Sequence, residues 1–157
     1  MLKRSGLSLV ALVMVVSSLV MAAEEVSLEG ITCLLQGKAA AKAEKHADYK
    51  EGKVYFCCDN CRGKFEKMND EEKGKLTPKA NGQLVATKQY VQEACPFTGA
   101  KLNAEQKIKV AGAEIQFCCG NCKGKAEKLE GDEQLEKIFG KEAFEKGKFK
   151  PVKAESK

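Results

Sequence analysis

The 157-residue chain carries 27 Lys and Arg against 22 Asp and Glu, with no tryptophan, and its formal net charge of +5 falls to about +3 once Lys3 and Arg4 are set aside. With both signs interleaved, that balance describes a solvated surface and not a nucleic-acid stripe. A single histidine, and no Ser/His/Asp set, phosphate loop or carboxylate pair near the cysteines, leaves little for acid–base chemistry, so the expectation is a binding protein and not an enzyme.

Lys3 and Arg4 precede an apolar run from Leu7 to Ala23, and Glu24-Glu25 follow it at once. A charged start, an apolar middle and small residues before a polar switch make a secretory signal peptide over residues 1–22, cut near Ala22 or Ala23. The run also approaches the ~17 residues that a membrane span needs, so an uncleaved anchor is the competing reading. No cysteine ends the run, which argues against a lipid anchor. The mature protein is therefore expected in a periplasm or secreted, touching a membrane only if the segment stays uncleaved.

The eight cysteines form two equivalent sets of four. Phe56-Cys57-Cys58-Asp59-Asn60-Cys61 returns 61 residues later as Phe117-Cys118-Cys119-Gly120-Asn121-Cys122, and Cys33 and Cys95 precede their clusters by 24 and 23 residues. Residues 26–78 and 90–147 thus read as two repeats, with 79–89 a linker and 148–157 a disordered tail. Each repeat has about 60 residues, a size at which burial of apolar surface alone is marginal. Cysteine is the one component of the composition able to supply the difference.

A short extended lead-in reaches Cys33 and Cys95, followed by Leu34-Leu35-Gln36-Gly37 or Pro96-Phe97-Thr98-Gly99, each ending in a glycine suited to the tight turn of a knuckle. The Ala/Lys-rich stretch from Lys38 to Lys45 favours a short helix by propensity. Alternation around Gly52 and Gly112 predicts a small hairpin in each repeat, its second strand running into the cysteine cluster. Beyond the cluster the period becomes helical: Cys61, Phe65 and Met68, then Cys122, Ala126 and Leu129, at i, i+4 and i+7. Thr77-Pro78 and Asn81-Gly82 mark the exit from the first repeat, with a short strand at Leu84–Thr87. An amphipathic C-terminal helix spans Glu133–Phe139 and Ala143-Phe144.

A helix starting at the cluster brings Cys57, Cys58 and Cys61 within one turn, and Cys33 on its knuckle is able to approach that face. Four thiols converging on one point make a soft site suited to Zn(II) or Cu(I), one ion per repeat. Unpaired N–H groups at the helix start favour the thiolate form, and Lys53, Arg62, Lys64, Lys123 and Lys125 are expected to add to that field. The second site is built alike from Cys95, Cys118, Cys119 and Cys122. His46 is the alternative fourth ligand in the first repeat, although its counterpart in the second is Lys107.

With one leading cysteine, a gap of 23 or 22 residues, then Cys-x3-Cys after Val54-Tyr55-Phe56 or Ile115-Gln116-Phe117, the pattern resembles the TRASH and YHS family of treble-clef-like metal-binding modules. Cys95-Pro96-Phe97-Thr98-Gly99 is also similar to that family's Cys-Pro-x-x-Gly opening, whereas Leu34-Leu35-Gln36 departs from it in the first copy. The resemblance implies an α+β fold of two treble-clef-like zinc-finger units, each a knuckle, a β-hairpin and a short helix, plus a C-terminal helix. It further implies heavy-metal binding for sensing, storage or trafficking, with metal ions as the partners and no identified protein partner. Metal binding would also add folding energy, on the order of 10 kcal/mol for a structural zinc site.

Two rivals stand beside this reading. A disulfide scaffold suits an exported protein with an even cysteine count, yet three thiols within five residues cannot all pair across long loops, and a Cys57–Cys58 bridge would be strained. A thiol–disulfide oxidoreductase is suggested by Cys58-x-x-Cys61 and Cys119-x-x-Cys122, yet each repeat is too short for the βαβ elements of a thioredoxin fold, and Cys57 and Cys118 stay unexplained.

Overall fold

The computed structural model describes residues 26–152, so the expected leader and residues 153–157 lie outside the described residues. In chain order the elements are β1 (Lys42–Tyr49), β2 (Gly52–Phe56), α1 (Asp59–Lys67), α2 (Asp70–Lys75), α3 (Thr77–Ala86), β3 (Tyr90–Val91), β4 (Asn103–Val110), β5 (Ala113–Phe117), α4 (Gly120–Glu127), α5 (Gly131–Phe139), α6 (Lys141–Lys146) and β6 (Lys150–Pro151). The strands pair as three antiparallel two-stranded sheets, β1 with β2, β4 with β5, and β3 with β6. The fold is therefore mixed α and β, with the duplicated sequence giving duplicated structure.

Each repeat opens with a tight turn at its first cysteine. The Cys33 N–H donates to Ala39 C=O at 2.7 Å and the Gly37 N–H returns to Cys33 C=O at 2.8 Å; the second repeat matches with Cys95 to Ala100 at 2.9 Å and Gly99 to Cys95 at 2.7 Å. Gly37 and Gly99 hold φ of +66° and +71°, a conformation a Cβ would strain. The first turn closes one residue later than the second, after Lys38. That single residue accounts for the longer cysteine gap of the first copy and leaves the cluster itself unaltered.

The hairpins form as the alternation predicts, in register His46↔Tyr55 and Tyr49↔Gly52, and Lys107↔Gln116 and Val110↔Ala113. Ala111 and Gly112 both have positive φ, as a type I′ two-residue turn requires. The helix favoured by composition at Lys38–Lys45 is not formed; Lys42 onward is β1. Helix propensity differs between residues by only tenths of a kcal/mol, and pairing with β2 outweighs it.

The largest correction concerns residues 77–89. The short strand expected at Leu84–Thr87 is the last part of α3 and its cap. Pro78 stands in the first turn, where a missing N–H is harmless. Asn81 and Gly82, expected to mark the exit from the first repeat, are buried in α3. The Asn81 amide donates to Phe139 C=O at 2.7 Å and accepts from Lys50 Nζ at 2.7 Å, while a Cβ at Gly82 would lie 3.3 Å from the Phe139 ring.

One face of α3 feeds each core. Ala80 packs with Cys33, Val54, Phe56 and Phe65 of the first repeat, and Leu84 with Tyr90, Ile115, Phe117 and Phe139 of the second. The C-terminal helix expected as one element is two, because Gly140 adopts an extended conformation between α5 and α6. Nor does disorder begin at residue 148. Phe149 is buried, stacks on Phe144 at 4.5 Å, and leads into β6, which pairs Pro151 with Tyr90. Burial of one aromatic side chain outweighs the polar composition around it.

Leu84 is fully buried, so Leu84→Ala is expected to destabilise the protein by about 3 kcal/mol through lost transfer energy and the cavity left behind. Denaturant unfolding measures this; a loss below about 1 kcal/mol would place α3 outside the core.

Candidate metal centre

The last strand of each hairpin delivers its cysteines directly to a helix start. Cys57 follows β2, Cys58 is the N-cap of α1, and Cys61 is buried one turn in; Cys118, Cys119 and Cys122 repeat the arrangement at α4. The two N-caps have nearly the same extended backbone, φ −159° and −158°. Phe65 and Ala126 continue the buried face, as the i, i+4 spacing requires.

The knuckle then brings in the fourth chain position. In the set Cys33, Cys57 and Cys61 every Sγ lies within 4.8 Å of the others, and the same holds for Cys95, Cys118 and Cys122. Cys57 Sγ is 3.8 Å from Cys61 Sγ and 3.7 Å from Cys58 Sγ, and Cys118 Sγ is 3.6 Å from Cys122 Sγ and 3.7 Å from Cys119 Sγ. All eight are free thiols. A tetrahedron of thiolates about 2.3 Å from a zinc ion sets its sulfurs about 3.8 Å apart, which the Cys57–Cys61 and Cys118–Cys122 distances match, and each triad as a whole is close enough to hold an ion.

Each centre is closed on one side and open on the other. Cys33, Cys61, Cys95 and Cys122 are buried, Cys57 and Cys118 are half-buried, and Cys58 and Cys119 are exposed. Cys58 meets Cys57 and Cys61, and Cys119 meets Cys118 and Cys122, from the exposed side of each centre. His46 does not join the first triad. Its Nδ1 lies 2.8 Å from Ala43 C=O, and its place opposite Tyr55 matches Lys107 opposite Gln116, so the two repeats align as the cysteine clusters require.

Separate chain segments supply the knuckle and the strand, and a glutamine amide holds them together in both repeats. In the first, Gln83 Oε1 accepts from the Tyr55 N–H at 2.8 Å, while Nε2 donates to Tyr55 C=O at 3.2 Å and to Thr32 C=O at 2.6 Å. In the second, Gln92 accepts from the Gln116 N–H at 3.0 Å and donates to Gln116 C=O at 2.8 Å and Ala94 C=O at 2.9 Å. Thr32 and Ala94 immediately precede the first cysteines, and Tyr55 and Gln116 lie two before the clusters. The clamp therefore fixes the distance across which each triad forms. Gln83 comes from α3 and Gln92 from the lead-in to its own knuckle, so no repeat in the sequence reveals the equivalence.

Electrostatics come from the backbone. Burial pushes the Cys33 thiol up, but N–H groups of Gln36, Cys57 and Leu35 outweigh it and the net shift is downward. For Cys95, burial is likewise overcome, by the Thr98 hydroxyl and the N–H groups of Cys118, Phe97 and Thr98, bringing it to about 7. The N–H groups of Cys61 and Cys122 lower Cys58 and Cys119, whereas burial followed by neighbouring thiols pushes Cys57 and Cys122 up to about 12. Each cluster thus loses its first protons easily and holds its last ones, until an ion replaces them. Two of the five basic side chains expected to do this work, Arg62 and Lys123, face carboxylates of their own helices. Arg62 faces Asp59 at 3.6 Å and Glu66 at 3.8 Å, and Lys123 faces Glu127 at 3.8 Å.

Comparison with protein-family models, with curated proteins and with solved structures gives no match. What the geometry establishes is a cysteine-rich chain with two thiol triads close enough to hold metal ions.

Gln83→Met keeps the side-chain length and removes the clamp, leaving backbone groups of Tyr55 and Thr32 without that partner. A loss of about 1–3 kcal/mol is expected, together with weaker metal uptake at the first centre; unchanged uptake in a competition titration would refute the positioning role. For Cys95 the folded value lies below the ordinary 9.0, so its contribution to the metal-free fold is full above about pH 9 and is lost as pH falls through about 7. Denaturation of reduced, metal-free protein at pH 9 and pH 6 should show a larger loss for the native chain than for Cys95→Ser. Equal losses would contradict it.

Proposed function

We propose that this is an exported, non-enzymatic heavy-metal-binding protein that holds two ions per chain, Zn(II) or Cu(I), for sensing, storage or trafficking. The observation that carries this reading is the pair of thiol triads at metal-ligand spacing, built twice from the same elements. Cys33, Cys57 and Cys61 would hold one ion and Cys95, Cys118 and Cys122 the other, with Cys58 and Cys119 completing each set from the open mouth. The TRASH and YHS resemblance supports the same assignment, and the order of knuckle, hairpin and helix in each repeat is in keeping with a treble-clef-like unit.

The donor set argues for the soft end of the metal series. Thiolates alone, without imidazole or carboxylate, favour Zn(II) and Cu(I) over Mg(II), Ca(II) or Mn(II). If the leader directs export, the destination is oxidising, and eight clustered free thiols would be at risk of disulfide formation there. A bound ion engages the thiolates and so protects them. The half-open mouth suits an ion that is exchanged, since an incoming thiol ligand would reach the ion past Cys58 or Cys119.

Metal content and free-thiol count, measured together on protein exported to its native compartment and purified without chelator or added metal, test the reading. About two ions per chain with reduced ligating thiols is the expected result. No ion and no free thiols would establish a disulfide scaffold in its place.

A further inference from the structure

We propose that the two centres are unequal: the second holds its ion more tightly and fills first, and the first is the exchanging centre. The inference rests on the metal-binding reading and adds an order and a division of labour to it. The triads themselves are alike, so the difference must come from what surrounds them.

Thr98 is the distinguishing residue. Its Oγ1 lies 3.4 Å from Cys118 Sγ and also accepts from the Ala100 N–H at 3.3 Å. With a lone pair engaged by that N–H, the single hydroxyl proton is available to either sulfur it faces, Cys118 or Cys95, and once these are thiolates only the hydroxyl is able to donate. Three or four thiolates around one ion carry more negative charge than the ion neutralises, so a hydrogen bond to one of them relieves repulsion and stabilises the loaded state. At the equivalent place in the first knuckle stands Gln36, which is exposed and, among the described residues, makes no hydrogen bond to sulfur through its side chain. Cys57 Sγ meets Cys58 at 3.7 Å and Cys61 at 3.8 Å, as Cys118 Sγ meets Cys119 at 3.7 Å and Cys122 at 3.6 Å, so the hydroxyl is the added contact of the second centre.

The two knuckles are also supported by different partners. Behind the second, the N–H groups of Ala94 and Glu93 both donate to Gly147 C=O, at 2.9 and 3.2 Å, and Phe97 packs on Phe117 with ring centroids 5.5 Å apart. The first has a tie of its own, Leu34 N–H to Tyr55 C=O at 3.2 Å, which Pro96 is unable to copy, and cavities of about 360 and 560 Å³ border the first and second knuckles, so open space does not distinguish them.

The test uses the full mature chain, reduced and metal-free, given one equivalent of Zn(II) and then alkylated with N-ethylmaleimide, with peptide mass spectrometry reading which cysteines are protected. Cys95, Cys118 and Cys122 should be protected over Cys33, Cys57 and Cys61 by roughly tenfold. Thr98→Val should even out the two sets, and Thr98→Ser, which keeps the hydroxyl, should restore the order. Equal protection in the native chain, or an order unchanged in Thr98→Val, overturns the proposal while leaving metal binding in place. No protection at two equivalents overturns the metal-binding reading itself, and this proposal with it.

Discussion

A two-stranded hairpin leaves one edge of its second strand with N–H and C=O groups that its own sheet cannot satisfy. In this chain such groups include those of Tyr55 and Gln116, two residues before the thiols, and each of these pairs is met by one glutamine amide that also grips the residue before the knuckle cysteine, while Gln89 meets the pair on Lys53. An amide carries a donor and an acceptor at the spacing of a backbone peptide, so it behaves as one further residue of strand. It closes the edge against pairing with another chain and sets the knuckle at a fixed height above the cluster. That height sets how Cys33 and Cys95 approach the thiols that the helix starts present.

The buried helix α3 supplies the second constraint. Lying against both hairpins, it gives Ala80 to one core and Leu84 to the other, so two repeats that would be marginal alone share an interior. Lys50, from the turn of the first hairpin, extends the connection by reaching Asn81 at 2.7 Å and standing 4.3 Å above the Phe144 ring. Burial lowers its pKa while Glu145 opposes the shift. The turn of the second hairpin approaches the first repeat in return, where a Cβ on Gly112 would come within 3.0 Å of Ile31.

What was legible in the sequence was whatever repeats or alternates locally. The hairpins, the buried positions Cys61, Phe65, Cys122 and Ala126, the turn glycines and the pairing of each knuckle cysteine with its cluster were all readable from spacing. The rest depended on partners distant along the chain. Gln83 lies 28 residues from Tyr55, and Asn81 lies 58 from Phe139, so nothing near either residue announces that its amide is buried and satisfied. The helix expected at Lys38–Lys45 failed for the same reason, because its competitor was β2. Lysines near the clusters suggested an electrostatic role that falls to backbone N–H groups, since side-chain direction is not written in spacing. Thr98 left the faintest signal, a hydroxyl three positions after a cysteine with no counterpart in the other copy.

The origin of the two clamps carries a consequence for modularity. Gln92 belongs to the repeat whose strand it holds, but Gln83 lies beyond residue 78, in the helix that joins the copies. A segment cut at the boundary of the first sequence repeat would keep all four of its cysteines and lose the group that fixes their spacing. A segment cut for the second would keep both. The copies are therefore duplicated in pattern but no longer interchangeable, and only the second carries within itself the means of arranging its own thiols.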